Sequence, residues 1–183
     1  MIDKLLQTLR GMPNTWKRRL FFVAILTKAL ERDGLKPVVV GGHAVEFYTL
    51  GDYATKDIDI VMDESRRLDD LLNAWGFMRQ GRHWYHEEFD IAIEVPSTTL
   101  AGDMERLVEV EVEGLPVYLI GIEDIIIDRI NALVHWKSIR DGEWAHEMLC
   151  LHAGEIDREY LLRRAGEEGT MDALQTLLKR DEP

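Results

Sequence analysis

The sequence of 183 residues is poor in cysteine and proline and has no long apolar run. Its one cysteine, Cys150, can form no internal disulfide, which fits a reducing compartment. No apolar stretch approaches the roughly 20 residues that a membrane span needs. The first residues, MIDKLLQTLR, lack the apolar stretch and cleavage site of a signal peptide. We therefore expect a soluble cytoplasmic protein with no membrane contact.

Basic residues are scarce as well, because 22 Lys and Arg stand against 34 Asp and Glu, giving a net charge of −12. The positive charge is concentrated in residues 1–36, which carry eight basic and three acidic side chains. The remainder is acidic enough to repel phosphate backbones, which argues against broad nucleic-acid binding. We expect the basic segment to be the solvated face of a helix.

Apolar residues make up 46% of the chain, enough for a core, and they follow two patterns. Up to about residue 121 helical spacing alternates with short strand patterns, whereas from Ile122 onward only helical spacing remains. This predicts an α/β sheet core over residues 1–121 and a helical region over residues 122–183 that docks on it. The predicted elements are a helix capped by Asn14 or Thr15 with one apolar face, strands at 37–40 and 57–63 with a short helix between them, a helix capped by Ser65, one or two strands ending at Pro96, a hairpin turning at Glu113 and Gly114, and four C-terminal helices.

Two aspartates alternate at the start of the strand predicted at 57–63. Side chains two residues apart in a strand share a face, so Asp57 and Asp59 stand side by side while Ile58 and Ile60 point into the core. Two such carboxylates repel each other unless a cation lies between them. Mg²⁺ keeps waters or substrate phosphates in its shell, so two or three carboxylates suffice to hold it. Because this pattern is common, alone it would favour a solvated strand end.

Two neighbouring features favour the metal hypothesis. In FDIAIEVP, acidic and apolar residues alternate, so Asp90 supplies a third acid, with Glu94 and Glu88 as alternatives on the same strand face. Gly41 and Gly42 follow the run PVVV, where missing Cβ atoms let backbone N–H groups and a helix N-terminus approach an anion. A tight strand-to-helix turn would explain the glycines equally well. Together these features predict a ligand that is both metal-bound and polyphosphorylated, namely a nucleoside triphosphate.

The order of apolar strand, Gly-Gly, helix, TKDIDIV and a third acidic strand resembles the DNA polymerase beta-like nucleotidyltransferase superfamily. It is similar to the small bacterial and archaeal members, the minimal nucleotidyltransferases and the related toxin or antitoxin proteins. The match covers residues 38–95, and IEDIIIDRINAL resembles the family's next helix. The resemblance implies a nucleotidyltransferase fold with a mixed β-sheet and flanking helices. It also implies transfer of a nucleoside monophosphate from a triphosphate, with two Mg²⁺ ions and Mn²⁺ as the alternative metal.

The same resemblance implies roles for individual residues. Asp57 and Asp59 would bind the metals, and Asp90 would share one metal and help to deprotonate the acceptor hydroxyl. The residues that would contact the nucleotide are Gly41, Gly42, Thr55, Lys56 and Arg129, with a cap and a surface lysine as the alternatives for Thr55 and Lys56.

The sequence leaves the acceptor open among a small molecule, a protein and an RNA. The rival interpretation is a catalytically weak binding subunit, for example of a toxin–antitoxin pair. Such a subunit would bind another protein or a second copy of the chain.

Overall fold

The computed structural model describes residues 1–62 and 66–181, and within them seven strands form one sheet. The strands are β1 (Val38–Val39), β2 (Asp57–Val61), β3 (Met78–Gln80), β4 (His83–His86), β5 (Ile91–Glu94), β6 (Val108–Val112) and β7 (Leu115–Leu119). Their order across the sheet is β3-β4-β5-β2-β1-β7-β6. β1 pairs in parallel with β7, and β2 pairs in parallel with β5, while the other neighbours are antiparallel. The mixed sheet expected from the sequence is therefore confirmed.

Eight α-helices flank this sheet in the described ranges. They are α1 (Ile2–Gly11), α2 (Trp16–Leu30), α3 (Gly41–Tyr48), α4 (Arg66–Ala74), α5 (Ile122–His135), α6 (Ile139–Leu151), α7 (Arg158–Glu167) and α8 (Met171–Leu178). The proposed cap Ser65 lies outside the described residues. One apolar cluster extends from Leu9 to Leu177, so the last four helices share the core of the sheet. No helix within residues 1–62 or 66–181 has the length and apolar character that crossing a bilayer requires.

One helix and one strand were not predicted from the sequence. α1 was not predicted, and it packs on α2. β3 was not predicted either, because its three residues are all exposed and show no apolar alternation. It exists by pairing with β4 at the edge of the sheet. The hairpin of β6 and β7 turns at Glu113 and Gly114 as expected, both with positive φ.

The prediction of a single apolar face on α2 is wrong, because every residue from Arg18 to Thr27 is buried. α2 packs on β7 and is covered by α1. The expectation of a solvated basic segment is wrong for Arg18 and Arg19, which are only 5% and 8% exposed. The other basic residues of the segment are exposed or half-buried. Arg18 Nε donates to the carbonyl of Leu9 on α1 at 3.1 Å, which explains how a buried guanidinium is accommodated.

A buried ion pair joins α2 to α3. Arg19 Nη2 donates to both carboxylate oxygens of Glu46, at 2.7 and 2.6 Å, and His43 Nδ1 lies 3.1 Å from Glu46 Oε2. Burial raises the pKa of Glu46, but the hydrogen bonds from His43 and Arg19 outweigh it and lower that pKa below its usual value. The pair therefore fixes the helix that begins at Gly41 and Gly42.

We predict that Glu46→Gln destabilises the protein by about 3–5 kcal/mol, because it leaves the Arg19 guanidinium buried without a counter-charge. Urea denaturation at neutral pH measures this free energy. The matched control is Glu31→Gln, which removes an exposed carboxylate 2.5 Å from Lys28 Nζ and should cost less than about 1 kcal/mol. Equal stability of the two variants would contradict the role of the buried pair.

Candidate functional site

The two central aspartates lie on β2, on the face opposite the buried Ile58 and Ile60. Asp57 is exposed and Asp59 is half-buried. In the parallel pairing with β5, Asp57 is opposite Ala92 and Asp59 is opposite Glu94. Residues opposite each other on neighbouring strands share a face, at a strand spacing of about 4.8 Å. Glu94 is therefore the acid that the sheet register places beside Asp59.

The Gly-Gly turn brings the N-terminus of α3 against Asp59. The Gly42 N–H donates to Asp59 Oδ2 at 3.1 Å. Gly41 has a φ of +55°, and a Cβ atom there would overlap Asp59 Oδ2 and lie 3.0 Å from its Cγ. Both the backbone conformation and the space thus require glycine at position 41. A helix N-terminus favours negative charge, so this contact stabilises the charged form of the carboxylate.

The surroundings of Asp59 nevertheless disfavour its charged form. Burial is the main cause that raises the pKa of Asp59 to about 6, and the neighbouring charges of Glu94 and Asp57 add to it. The hydrogen bond from Gly42 and the charge of Arg129 act in the opposite direction. A carboxylate in this state gains from any additional cation at the site.

A cavity of about 580 Å³ opens between this face of the sheet and α5. It brings together Gly41, Asp59 and Arg129, as the sequence hypothesis requires, and also Glu94, the alternative third acid. Arg82, Asp128 and Trp136, which the sequence did not single out, border it as well.

Two charged side chains of this cavity, Arg129 and Glu94, already have ion-pair partners within the protein. Arg129 donates to Asp141 Oδ1 at 2.9 Å and to Asp128 Oδ2 at 3.0 Å. Burial lowers the pKa of Arg129, but its ion pairs with these two aspartates outweigh burial and raise it. Arg82 Nε lies 2.8 Å from Glu94 Oε1. Arg129 and Glu94 would have to share or exchange these partners to contact a ligand.

A second cavity, of about 320 Å³, lies at the other end of the aspartate pair and contains Asp57, Lys56 and Asp90. Asp90 does not lie on a strand: it has a φ of +46° in the turn before β5, and its Oδ2 accepts a hydrogen bond of 2.8 Å from the Asn14 amide. Glu88 also precedes β5, and its carboxylate lies 3.1 Å from Arg10 Nε. The expectation that Glu88, Asp90 and Glu94 share one strand face is therefore wrong.

The two residues before the aspartates have different surroundings. Thr55 is half-buried and packs against Gly42, where a Cβ atom would lie 3.2 Å from Thr55 Oγ1. Lys56 is exposed and borders the cavity of Asp57 and Asp90. The structure thus divides the predicted nucleotide residues, with Gly41 and Arg129 in the larger cavity and Lys56 in the smaller one.

Three residues of the site were missed by sequence reasoning. Asn14 was considered only as a helix cap, although the cap position of α2 is Thr15. Arg82 and Trp136 carry no local signal, since they reach the site through the β3–β4 turn and the end of α5. The alternation in FDIAIEVP did indicate Glu94, but only the strand register places it beside Asp59.

The donor set fits Mg²⁺ as a site of two carboxylates. Asp57 and Asp59 present hard oxygen atoms on one face, and the pKa of Asp59 is raised first by burial and then by the neighbouring charges of Glu94 and Asp57. Among residues 1–62 and 66–181, no three His, Cys, Asp or Glu side chains converge as a metal-binding group. Mg²⁺ commonly completes its shell with water and substrate phosphates, so two carboxylates are sufficient.

Comparison with known proteins gives a family and a fold. Residues 18–177 match the family described as nucleotidyltransferase of unknown function (DUF6036). No curated protein matches the chain.

Two solved structures are similar to this one. An antigenic nucleotidyltransferase-like protein from Paracoccidioides brasiliensis is 15% identical over 86% of this chain and 90% of its own, with a TM-score of 0.58. The antibiotic-resistance factor ANT(2'')-Ia, in its solution structure, is 19% identical over 86% of this chain and 94% of its own, with a TM-score of 0.53. These matches confirm the predicted nucleotidyltransferase-like fold.

We predict that Asp59→Asn makes the metal-free protein more stable at pH 7.5. Folded Asp59 releases its proton near pH 6 and unfolded Asp59 near pH 4, so the unfolding free energy of the wild type falls between these values and stays lower above them. Asparagine does not titrate and its side-chain oxygen can still accept from Gly42. Because Asp59 is partly exposed, we expect a gain of about 1–2 kcal/mol.

Urea denaturation with a chelator at pH 4, 5, 6 and 7.5 measures this difference. The advantage of Asp59→Asn should disappear at pH 4. Asp57→Asn on the same strand face is the control, and as an exposed substitution it should change stability by less than about 0.5 kcal/mol. An Asp59→Asn protein that is no more stable than the wild type at pH 7.5 would contradict the raised pKa of Asp59.

Proposed function

The chain belongs to the family of nucleotidyltransferases of unknown function, DUF6036, and from this premise we propose that it transfers a nucleoside monophosphate from a Mg²⁺-bound triphosphate to a hydroxyl acceptor. The observation that carries the proposal is the half-buried Asp59 carboxylate, held against the N-terminus of α3 beside Asp57 and Glu94. Two carboxylates on one strand face, a glutamate opposite on the next strand and a helix N-terminus suit a ligand that brings both cations and phosphates.

The triphosphate would bind in the larger cavity. The N–H groups at the start of α3 favour its negative charge, and Gly41 leaves the space for close approach. Arg129 is a cation that borders this cavity, and its ion pair with Asp128 orients the guanidinium at the cavity wall. Asp57 and Asp59 would hold Mg²⁺, which when bound supplies positive charge at the entering and departing oxygens.

The transfer is a single displacement at phosphorus. The acceptor hydroxyl oxygen forms a bond to the α-phosphorus, the bond from that phosphorus to the bridging oxygen breaks, and pyrophosphate leaves. The hydroxyl proton passes to a carboxylate of the protein. The main contribution of the protein is to position these groups.

Asp90 is our proposed proton acceptor, and Glu94 is the alternative. Asp90 shares the smaller cavity with Asp57, and its carboxylate is hydrogen-bonded by the neutral amide of Asn14. Glu94 has Arg82 as a direct ion-pair partner and borders the larger cavity, where the triphosphate is placed. The smaller cavity, at about 320 Å³, is within the size range of small-molecule sites, so we place a small hydroxyl-bearing acceptor there.

The first experiment is calorimetry with ATP, GTP, CTP and UTP, each with and without Mg²⁺. We expect Mg²⁺-dependent binding in the wild type and none in Asp57→Asn or Asp59→Asn, because each variant removes one charged ligand. Glu111→Gln on the edge strand β6 is the control for the loss of one negative charge and should bind as the wild type does.

Two results would count against the proposal. Binding that persists in both aspartate variants would show that the triphosphate binds at another place in the protein. A wild type that binds no triphosphate would favour the binding-subunit hypothesis.

The two candidate bases can be separated by kinetics. We predict that Asp90→Asn lowers pyrophosphate release by about 10²–10⁴-fold while Mg²⁺-triphosphate affinity is retained, since a base acts in the transition state. Glu94→Gln should have a smaller effect on turnover. The assay is pyrophosphate release with an acceptor found by screening small hydroxyl compounds. The opposite order of effects would assign the proton transfer to Glu94.

A second candidate function is the catalytically weak binding subunit of a protein complex. The observation that favours it is that Arg129 and Glu94, which should contact the ligand and metal, are both neutralised within the protein. In that case, the chain would co-purify with a partner and bind no triphosphate.

A further inference from the structure

Trp136 is the most exposed of the aromatic residues in the described chain, with 75% of its surface accessible. Large apolar side chains of this kind are usually mostly buried. No ring pair found among the described residues includes Trp136. It nevertheless borders the larger cavity, together with Gly41, Asp59 and Arg129. An exposed indole at the mouth of a charged cavity is available to a ligand.

The backbone holds Trp136 at a fixed position. Its N–H donates to the carbonyl of Ala132 at 3.1 Å, and the Ser138 N–H donates to the same carbonyl at 3.2 Å. Between them Lys137 has a φ of +58°, which turns the chain sharply from α5 into α6. The Ser138 hydroxyl then accepts from the Asp141 N–H at the start of α6. The indole is therefore presented by a hydrogen-bonded turn and not by a long loop.

The distance along α5 suits a nucleotide. Trp136 follows Arg129 by seven residues, which is two helical turns and about 10 Å along the helix axis on the same face. Arg129 acts electrostatically on Asp59, so this end of the helix is the phosphate end of the cavity. The sugar separates the base from the phosphates, and the base would lie toward Trp136.

We propose that Trp136 is the platform on which the nucleobase of the triphosphate stacks. This inference rests on the proposed function, because it takes the phosphates to lie at Asp59 and Gly41. Every base has a π-face, so stacking accepts all four bases. Purines overlap an indole more than pyrimidines do, so ATP and GTP should bind more tightly than CTP and UTP.

The test compares ATP with inorganic tripolyphosphate, which has no base, in calorimetry with Mg²⁺. We expect Trp136→Ala to weaken ATP binding by about tenfold or more and to leave tripolyphosphate binding unchanged. Trp136→Phe should keep most of the ATP affinity. Ile139→Ala is the matched control, because Ile139 is 72% exposed in the next turn but does not border the cavity, and it should change neither affinity.

The outcomes separate this inference from the proposed function. ATP affinity of Trp136→Ala within twofold of the wild type overturns the inference, and the proposed function stands if Asp57→Asn still loses ATP. Equal weakening of ATP and tripolyphosphate in Trp136→Ala also overturns it, since the effect would then lie at the phosphates. A wild type that binds neither ligand refutes both. If both Trp136→Ala and Ile139→Ala dissociate a dimer and leave ATP affinity unchanged, the inference is overturned. The two exposed side chains would then belong to a dimer interface.

Discussion

The contact between the Asp59 carboxylate and the Gly42 N–H organises this end of the molecule. It requires a helix that starts immediately after β1, a residue without a Cβ atom at position 41, and a strand that places Asp59 directly beneath that helix. The Asp59 carboxylate is partly desolvated and has Glu94 and Asp57 as acidic neighbours, so its pKa is raised to about 6 although the Gly42 hydrogen bond acts to lower it. The fold therefore maintains negative charge where a purely structural arrangement would have neutralised it.

The surrounding structure supports this arrangement. Ile58 and Ile60 anchor β2 in the core, and the buried ion pair of Arg19 and Glu46 joins α3 to α2. A rigid support matters because a carboxylate that could move into water would relax to its ordinary pKa. The stability of the core is thus used to hold an unfavourable charge in place, which is typical of functional sites.

Local sequence patterns predicted the parts of the site that one segment encodes. The alternation in DIDIV gave the strand and the shared face of Asp57 and Asp59, and the glycines gave the turn into α3. Local patterns could not predict what depends on pairing between segments. The register of β2 with β5 sets Glu94 beside Asp59, while the turn before β5 displaces Asp90. The packing of α1 on α2 likewise buries Arg18 and Arg19, two residues of a basic segment that the sequence suggested was solvated.

The two aspartates of β2 border different cavities. Asp57 borders the smaller cavity and Asp59 the larger one, although the two residues are neighbours on the same face of β2. A group bound between them would contact both spaces at once. Under the proposed function, a triphosphate in the larger cavity and an acceptor in the smaller one would meet at this pair. An in-line displacement needs such a meeting point, since the entering and leaving groups must lie on opposite sides of phosphorus. The proposed transfer therefore depends on the position of this aspartate pair more than on the identity of any third acid.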